Sequence, residues 1–560
     1  MPRDPLFRVL AGWLVLTAAA CLLVHHVFSL DGDGHTPKYV VASVWSRGER
    51  VARAVLAHPG DRDPSIDAAL ADAANHPDPT LAYEAVVGEA PVLVHPEEAF
   101  AMSFVPGHDG VAVTVGPRTE YLTPDDLLSR QTYDRGVEVP SLSFKAGIDV
   151  PLVLALLSDR LGMTVPDMLE RGRFRRIRVV RSIPGEPPPR VVTPASMTED
   201  DVRAGAVNAA RFLARGVDEK GRFRYMVDAP SNKTLPGYDW PRHAGATYFL
   251  AQAAALTGDP ELKAAALRAA GWLRGHATLR CGHNHCIGDD ETVDVGSTAL
   301  TVIAFVEIAR SKLDPGYAAA VPELAEFLRS QQRADGDLMH QYDRAARRPI
   351  DVQFLYYTGE AALALSRASA LTGNVEDRQA ASRAVARLAG PGWTFFGSRY
   401  YFGEEHWTCQ AMEDLWDVAP DRQALDFCLR WQEYNRRLQY QGGDSPYDAE
   451  GAYGFGPLVT PRLTPVGSRC ESGIATLDAA ARAGGVSSEE LATLDAQMRR
   501  SLALVIRHQV GSPAIPRYLL AAPEAVEGAM PASEVDWQLR IDFSQHSGSA
   551  LIRWLSRPRR

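Results

Sequence analysis

Acidic, basic and aromatic residues cluster at several points in the C-terminal two-thirds of the chain, in combinations typical of a polar binding cleft. The candidates for acid–base chemistry are Glu471, His406, His243, Glu360 and Asp542. The candidates for substrate binding are Asp239, Trp240, Arg242, Tyr356, Tyr357, Trp407, Gln410, Glu413, Arg469 and His546. Carboxylates and histidines exchange protons, whereas tryptophan and tyrosine rings pack against the apolar face of a sugar. Together these residue types predict a carbohydrate site.

Several candidates fall at predicted helix starts, where polar residues also have structural roles. An acidic residue there commonly caps the helix and complements its dipole. Cations are unfavourable at the same place, yet Arg242-His243, His406-Trp407 and Arg469 occur at such starts. This combination favours a shared polar cleft over a set of unrelated caps.

Two kinds of sugar chemistry remain open. Hydrolysis of a glycoside requires an acid and a base carboxylate on either side of the bond, for which Glu360, Glu471 and Asp542 are candidates. Epimerases and lyases instead need a base that removes a proton next to a carboxylate, and a cation that stabilises the developing charge. His243, His406, His546, Tyr357, Arg242 and Arg469 fit that second chemistry.

An internal repeat indicates which elements position these residues. Pro241-Arg242-His243-Ala244-Gly245 runs on to Leu-Thr-Gly-Asp at 256–259, and Tyr356-Tyr357-Thr358-Gly359-Glu360 runs on in the same way to Leu-Thr-Gly-Asn at 371–374. Pro241 fits the first turn of a helix, because its missing N–H costs nothing there. Repeats of this kind indicate helical hairpins packed side by side.

The hydrophobic pattern from residue 199 onward predicts twelve helices. They are 200–215, 241–256, 260–276, 295–311, 317–332, 354–371, 375–388, 406–418, 421–438, 469–483, 488–509 and 545–556. Small residues crowd every second helix, whereas the others carry charged stripes typical of a solvated face. The sequence therefore predicts a mainly α protein with an (α/α)6 toroid, in which all inner helices begin at one rim and line a single cleft.

The helix-pair repeat, with Gln-Arg-Ala-Asp-Gly at 332–336 after an outer helix, resembles the six-hairpin (α/α)6 superfamily over residues 199–558. That superfamily contains glycoside hydrolases, polysaccharide lyases and sugar epimerases, together with related isoprenoid and peptide cyclases. The resemblance implies an enzyme that acts on a cell-envelope or extracellular carbohydrate polymer. Two alternatives stay open: a non-catalytic toroid that binds or scaffolds such a polymer or an envelope partner, and a toroidal isoprenoid or peptide cyclase.

An N-terminal transmembrane helix is predicted at 9–30. This run is almost uncharged, and it has about the 20 residues that a bilayer-spanning helix needs. Arg3 and Arg8 precede it, so the charge asymmetry predicts that the rest of the chain lies outside the cytoplasm, in the periplasm or beyond. A lipoprotein signal ending at Cys21 and a cleaved signal peptide are the alternatives.

The predicted domain organisation is a membrane segment at 1–35, a small α+β domain at 36–183, a proline-rich linker at 184–198 and the toroid at 199–560. In the α+β domain the pattern predicts helices at 51–57, 66–74, 152–161 and 165–171, and strands at 83–94, 102–105, 111–115 and 174–180. Segments 107–115, 121–124, 144–147 and 174–181 loosely resemble the second half of the AMMECR1-type domain.

The net charge and the cysteines limit which partners and cofactors the sequence predicts. A formal net charge of −10 lacks the basic footprint of a nucleic-acid binder, so no nucleic-acid partner is predicted. Cys281, His283 and Cys286 lie within six residues, and a Cys281–Cys286 disulfide, a zinc site and free thiols are all compatible with that spacing. Apart from this possible zinc site, no cofactor is predicted.

The other cysteines of the helical region leave the pairing open. Cys409 and Cys470 each fall near a predicted inner-helix start, so they are candidates for a second bridge or for two buried thiols. Either choice leaves Cys428, on a predicted outer helix, unpaired. The cysteine count therefore does not by itself establish an oxidised protein.

Overall fold

The structure is a computed structural model that describes residues 30–32, 34–72, 74–139, 144–186, 190–394, 398, 400, 406–443, 448–454 and 459–557. The chain divides into two compact units: residues 1–189 with 456–460 and 517–521, and residues 190–455 with 461–516 and 522–560. The predicted membrane run at 9–30 lies outside the described residues except for its last one. Within the described part, no helix is both long and apolar enough to cross a bilayer.

The first unit is built on a six-stranded antiparallel sheet with strand order β2-β1-β3-β8-β4-β5. Its strands are β1 (Tyr39–Ser46), β2 (Glu49–Leu56), β3 (Thr80–Pro91), β4 (Asp109–Val115), β5 (Arg118–Leu122) and β8 (Arg173–Ser182), while β6 (Tyr133–Val139) and β7 (Phe144–Ile148) pair with each other. Its helices are α1 (Pro64–Ala71), α2 (Glu97–Ala101), α3 (Pro124–Ser129), α4 (Val150–Leu161) and α5 (Val165–Arg171).

Two predictions for this unit are wrong. Residues 51–57 are not a helix but most of β2, which pairs with the buried strand β1, so strand pairing outweighs the helical propensity of the Ala and Arg residues there. Residues 102–105 form the turn that follows α2 rather than a strand. The predicted helices 152–161 and 165–171 are confirmed as α4 and α5.

The second unit contains a closed ring of six inner helices among its described residues. They are α7 (Trp240–Thr257), α9 (Val295–Arg310), α11 (Tyr357–Thr372), α13 (His406–Leu415), α15 (Thr464–Ala483) and α18 (Ile541–Leu555). Each packs against the next in this order, and α18 packs against α7, which closes the ring.

Six outer helices surround this ring. They are α6 (Glu199–Arg215), α8 (Pro260–Trp272), α10 (Val321–Ser330), α12 (Val375–Ala389), α14 (Arg422–Leu438) and α16 (Ser488–Arg507). Each outer helix packs against inner helices, and each buries one face, as Val321, Leu324 and Leu328 do in α10. The predicted (α/α)6 toroid is therefore confirmed.

Glycines let the inner helices approach one another closely. A Cβ atom on Gly548 would lie 2.1 Å from the ring of Phe249, and one on Gly467 would lie 2.7 Å from the backbone nitrogen of Ser547. Inner helices are also buried on almost all sides, as in α9, where every residue from Val295 to Ile308 is buried. This is why small residues crowd the inner-helix sequences.

Short elements lie between the helices of the second unit. They are β9 (Met226–Asp228), β10 (Lys233–Thr234), β11 (Thr278–Cys281), β12 (Asn284–Ile287), β13 (Thr292–Asp294), β14 (Gln341–Asp343), β15 (Arg348–Ile350), α17 (Pro523–Val526) and β16 (Gln538–Arg540). A π-helical turn (Leu273–Ala277) follows α8, and a 3-10 turn occupies Pro315–Ala320. A further 3-10 turn, Arg517–Leu519, belongs to the first unit. Strands β13 and β16 run directly into α9 and α18, so they belong to the rim at which those helices begin.

Candidate functional site

Three side chains from consecutive inner helices meet inside the ring. His406 begins α13, Glu471 lies in the second turn of α15, and His546 lies in the second turn of α18. His546 Nδ1 is 2.7 Å from Glu471 Oε2, and His406 Nε2 is 3.9 Å from the same oxygen. The two imidazole rings stand edge to face with their centroids 4.9 Å apart. We call these three residues the catalytic trio, after the role that we propose for them below.

The short contact within the catalytic trio is a hydrogen bond. When Glu471 is ionised it only accepts, so the Nδ1–H of His546 donates to Glu471 Oε2, and Nε2 is then the proton-accepting nitrogen of the neutral ring. Glu471 Oε1 is buried and has no hydrogen-bond partner in the described part of the chain.

The three side chains are also the described group best suited to hold a metal ion, since one ligand atom from each lies within 4.8 Å of the others. Two ligands of a tetrahedral zinc stand about 3.3 Å apart at the usual bond lengths. The 2.7 Å separation of His546 Nδ1 and Glu471 Oε2 is shorter than that. The observed geometry therefore matches a hydrogen-bonded acid–base group better than a set of metal ligands.

Burial tunes the proton affinity of this group. Glu471 is almost completely buried, and burial raises its pKa, while the neighbouring His546 acts in the opposite direction. Arg553 and Arg367, deeper in the ring, also favour the ionised carboxylate. Burial outweighs these opposing charges, so the pKa of Glu471 stays above its ordinary value.

A second cluster lies at the start of α7 and α18. Arg242 forms ion pairs with Asp239 (2.7 Å) and Asp542 (3.2 Å), and Arg540 also binds Asp542. Burial alone would raise the pKa of Asp542, but the charges of Arg540 and Arg242 hold it below its usual value. Asp542 precedes His546 by one helical turn, so this cluster adjoins the catalytic trio.

The start of α11 forms a further part of the same rim. A Cβ atom on Gly296 would lie 2.4 Å from the ring of Tyr357 and 2.6 Å from Glu360 Oε2, so both side chains reach the first turn of α9. Burial and the charges of Asp294 and Glu360 raise the pKa of Tyr357, whereas the charge of Arg242 acts to lower it. Arg242 and Tyr357, which are equivalent in the repeat, therefore lie at the same end of the ring.

Aromatic rings flank the polar groups. Trp407 is buried, with its ring 4.2 Å from that of His406 and 5.7 Å from that of His546. Trp240 lies 5.5 Å from Tyr238 at the start of α7. Tyr356, the residue before α11, is 36% exposed.

Gln410 and Glu413 lie below the catalytic trio rather than beside it. Gln410 follows His406 by one turn of α13, and its Oε1 accepts from Arg553 Nη1 at 3.3 Å. Glu413 forms ion pairs with Arg553 of α18 and Arg482 of α15. These two candidates belong to a buried polar layer that joins helices, which we call the floor of the ring.

The floor includes residues that the sequence analysis missed. Arg367 of α11 binds Asp414 of α13 at 2.9 Å and lies 5.1 Å over the ring of Tyr248. Arg553 joins α18 to α13 through Gln410 and Glu413. A signal was present, since Arg553 follows His546 by seven residues and so lies on the same face of α18.

His243 is not part of the catalytic trio. It is fully buried against the outer helix α8, where its ring contacts the Tyr238 hydroxyl through Nδ1 (2.7 Å) and the Ala269 carbonyl through Nε2 (3.0 Å). Burial lowers its pKa to about 4. The structure thus gives His243 a packing role, because a residue next to Arg242 on a helix points about 100° away from it.

Arg469 is not a partner of Glu471. Helix α15 begins at Thr464 rather than at 469, so Arg469 is fully buried within the helix, with its guanidinium 5.0 Å over the ring of Tyr453. Residues two apart on a helix differ by about 200° in direction. Arg469 therefore points away from Glu471, and the side chain that binds Glu471 is His546.

The cysteine pairing agrees with the sequence analysis for Cys281 and Cys286 but differs from it for Cys409, Cys428 and Cys470. Cys281 and Cys286 form a disulfide, so the zinc alternative is wrong, and His283 lies exposed in the turn between β11 and β12. Cys409 pairs with Cys428, which ties α13 to α14. Cys470 is the buried free thiol among the described residues, contrary to the expected Cys409–Cys470 relation.

Comparison with known proteins finds matches among solved structures but not among sequences. No protein-family model and no curated protein sequence matches the chain. Among solved structures, similar ones are a D-mannose isomerase (12% identity, TM-score 0.48, 64% of this chain and 98% of that one) and a cellobiose 2-epimerase from Bacillus thermoamylovorans (12%, 0.47, 64% and 99%). An unsaturated glucuronyl hydrolase from Streptococcus agalactiae is also similar (14%, 0.43, 64% and 92%). These three are carbohydrate-processing six-hairpin toroid proteins.

Proposed function

We propose that the helical ring is a carbohydrate-acting enzyme that transfers a proton at a sugar carbon, as epimerases, isomerases and lyases do. The observation that carries this proposal is the catalytic trio, in which two imidazoles flank one buried carboxylate. Buried titratable groups with perturbed proton affinity are typical of catalytic sites. A protein that only binds a polymer needs aromatic rings and hydrogen-bond donors but no such group.

In the proposed reaction, His546 Nε2 removes a proton from a carbon next to a carbonyl or carboxylate. The electron pair of the broken C–H bond moves to the carbonyl oxygen and forms an enediolate. Glu471 accepts the Nδ1–H bond throughout, which fixes the ring and stabilises the imidazolium that forms. His406, whose ring stands edge to face with that of His546, is protonated at the start of the proposed reaction. It gives its proton to the same carbon from another direction or to the neighbouring carbon, which yields an epimer or an isomer, and exchange with water then resets both rings.

The alternative of glycoside hydrolysis has less support. It requires a carboxylic acid that stays protonated opposite a second carboxylate. Asp542 is held in its ionised form by Arg242 and Arg540, and Glu471 is engaged with His546. A lyase uses the same first step as an epimerase and differs only in expelling a leaving group from the next carbon, so it remains within the proposal.

We also propose that the ring works outside the cytoplasm on an envelope or extracellular polymer. Two disulfides, Cys281–Cys286 and Cys409–Cys428, support this, since such bonds persist mainly in oxidising compartments. The apolar run at 9–30 supports attachment to a membrane through its N terminus.

The test is product analysis with the full-length protein. Neutral and acidic monosaccharides, oligosaccharides and envelope polymers are incubated with it and followed by NMR. A new epimer, ketose or unsaturated sugar supports the proposal. New reducing ends without any of these products would instead assign the ring to the hydrolases. If every sugar stays unchanged while some bind, the non-catalytic alternative replaces the enzyme.

A further inference from the structure

Two aromatic side chains at the rim are exposed to solvent. Phe354 is 45% exposed and Tyr356 is 36% exposed, and among the described residues no other aromatic side chain is as exposed. Both lie in the short segment that leads into α11. Core packing does not explain the position of the Phe354 ring, because its neighbours His340 and Tyr357 leave nearly half of it open to solvent.

Phe354 is held in place by a buried histidine. His340 is almost completely buried, and its Nδ1 accepts the backbone N–H of Phe354 at 2.7 Å. Its Nε2 donates to the Thr358 hydroxyl at 2.7 Å, and that hydroxyl donates to Asp337. The His340 ring also lies nearly parallel to the Phe354 ring, at 19° with centroids 6.3 Å apart.

The protonation state of His340 keeps this arrangement intact. Burial lowers its pKa to about 4, so the ring is neutral at pH 7 and retains a nitrogen that can accept from Phe354. The fold thus uses both ring nitrogens of a buried histidine to hold an exposed aromatic residue. Side chains that merely happen to be exposed do not need such support.

Phe354 is linked to the catalytic trio through neighbouring residues of the rim. Phe354 contacts Tyr357 with ring centroids 5.1 Å apart. Tyr357 shares the rim with Glu360 and Arg242, and Arg242 binds Asp542, one turn before His546. A sugar chain whose reacting residue lay against His546 would extend along this rim toward Phe354.

We propose that Phe354 and Tyr356 form a stacking subsite for a second sugar residue, so that the preferred substrate is an oligosaccharide or polymer rather than a monosaccharide. The flat apolar face of a sugar ring packs against an aromatic ring in the way that this subsite requires. The inference rests on the proposed function for the reaction itself, but the subsite can be tested by binding alone.

The kinetic test compares Phe354→Ala with the unchanged full-length protein. For a disaccharide or longer substrate, kcat/KM is expected to fall about tenfold, a loss within what burial of one aromatic ring supplies. For the matching monosaccharide it is expected to stay within about twofold, because the reacting sugar does not reach the subsite. Phe354→Trp keeps an aromatic face and is expected to retain the preference for the longer substrate.

Val375→Ala is the matched control. Val375 is 48% exposed and begins α12, just after the C-terminal end of α11. The substitution therefore removes exposed apolar surface at the end of the ring opposite to Phe354. Neither substrate is expected to respond to it. Equal losses for monosaccharide and oligosaccharide in Phe354→Ala, with an unchanged thermal midpoint, would overturn the proposal, as would no loss for either.

Binding separates this proposal from the proposed reaction. Calorimetry measures the affinity of cello-, chito- and uronate oligosaccharides for the unchanged protein and for Phe354→Ala. A weaker affinity in the variant for an oligosaccharide that is not turned over supports the subsite even if the reaction is assigned wrongly. Identical affinities of the two proteins for an oligosaccharide that the unchanged protein binds would overturn the subsite while leaving the reaction standing.

Discussion

His546 and His243 are both buried imidazoles near the start of an inner helix, but their ring nitrogens have different partners. His546 donates to a carboxylate that burial makes easy to protonate, inside the ring. His243 contacts a tyrosine hydroxyl and a backbone carbonyl, on the side of α7 that faces an outer helix. The first arrangement can pass a proton to a substrate, whereas the second only joins two helices.

Removal of either trio histidine is expected to abolish most of the turnover. His546→Ala and His406→Ala should each lower kcat by about 10²–10⁴, the usual cost of losing a general acid or base. Glu471→Gln should have an effect of at least about 10², because a neutral amide cannot stabilise the imidazolium of His546. Turnover of the identified sugar and thermal unfolding are measured together. Near-normal turnover in all three folded variants would remove the trio from the mechanism.

His243 should control acid stability instead. Its pKa is lowered to about 4 in the folded protein from about 6.5 in the unfolded chain. Between these values the unfolded chain binds more protons, so the free energy of unfolding should fall as the pH drops from 6.5 to 4, by up to about 3 kcal/mol. Urea unfolding of His243→Gln should lack this part of the pH dependence while its turnover at neutral pH persists. An unchanged pH dependence would contradict the assignment.

Sequence reasoning found the members of the catalytic trio but not their pairing. Residue types at helix starts pointed to Glu471, His406 and His546, because acid–base chemistry requires those types. Pairing depends on the direction in which each side chain leaves its helix, and residues two positions apart, such as Arg469 and Glu471, point about 200° away from each other. Arg469 was misplaced for this reason.

At the level of elements, the helix pattern was strong enough to predict every outer and inner helix, but two inner helices begin well before their predicted starts at 469 and 545. Helix α15 begins at Thr464 with Pro465 in its first turn, and α18 begins directly after β16. For β2 even the type of element was predicted wrongly. Its sequence favours a helix, and only its pairing with β1 makes it a strand.

The floor of the ring should contribute to stability through ion pairs that cross between helices. Arg553 and Glu413 are both less than one-fifth exposed, so Arg553→Gln leaves a buried carboxylate with one partner fewer and should cost about 3 kcal/mol of unfolding free energy. Arg422→Gln is the matched control, because its pair with Asp426 is half exposed on both sides and should cost less than about 1 kcal/mol. Equal effects in urea unfolding would show that the floor is not a structural layer.

At the scale of the whole molecule, the site exists only because the ring closes. His406, Glu471 and His546 come from three successive inner helices, and α18 must pack against both α15 and α7 for His546 to reach Glu471. The sequence predicts a common rim from the alternation of inner and outer helices. It does not predict the floor or the neutral His340, because both depend on contacts between residues far apart in the chain.

The proposed location outside the cytoplasm predicts the behaviour of fusions. A phosphatase that is active only after export should be active when fused at Arg560, because the run at 9–30 follows Arg3 and Arg8 and should place the rest of the chain outside. A fusion that lacks residues 1–35 is the control and should be inactive. Activity of a cytoplasm-specific reporter at the same site of the full chain would contradict the predicted topology.

Solvent exchange tests the central claim most directly. The full-length protein is incubated with its sugar substrate in D2O, and NMR follows deuterium at the carbon next to the carbonyl or carboxylate. Because His546 is proposed to take that proton and the trio to return one, deuterium should enter recovered substrate or product with the unchanged protein and at least about 10² more slowly with His546→Ala. Product formation without any deuterium at that carbon, or equal exchange in His546→Ala, would contradict proton transfer by the catalytic trio.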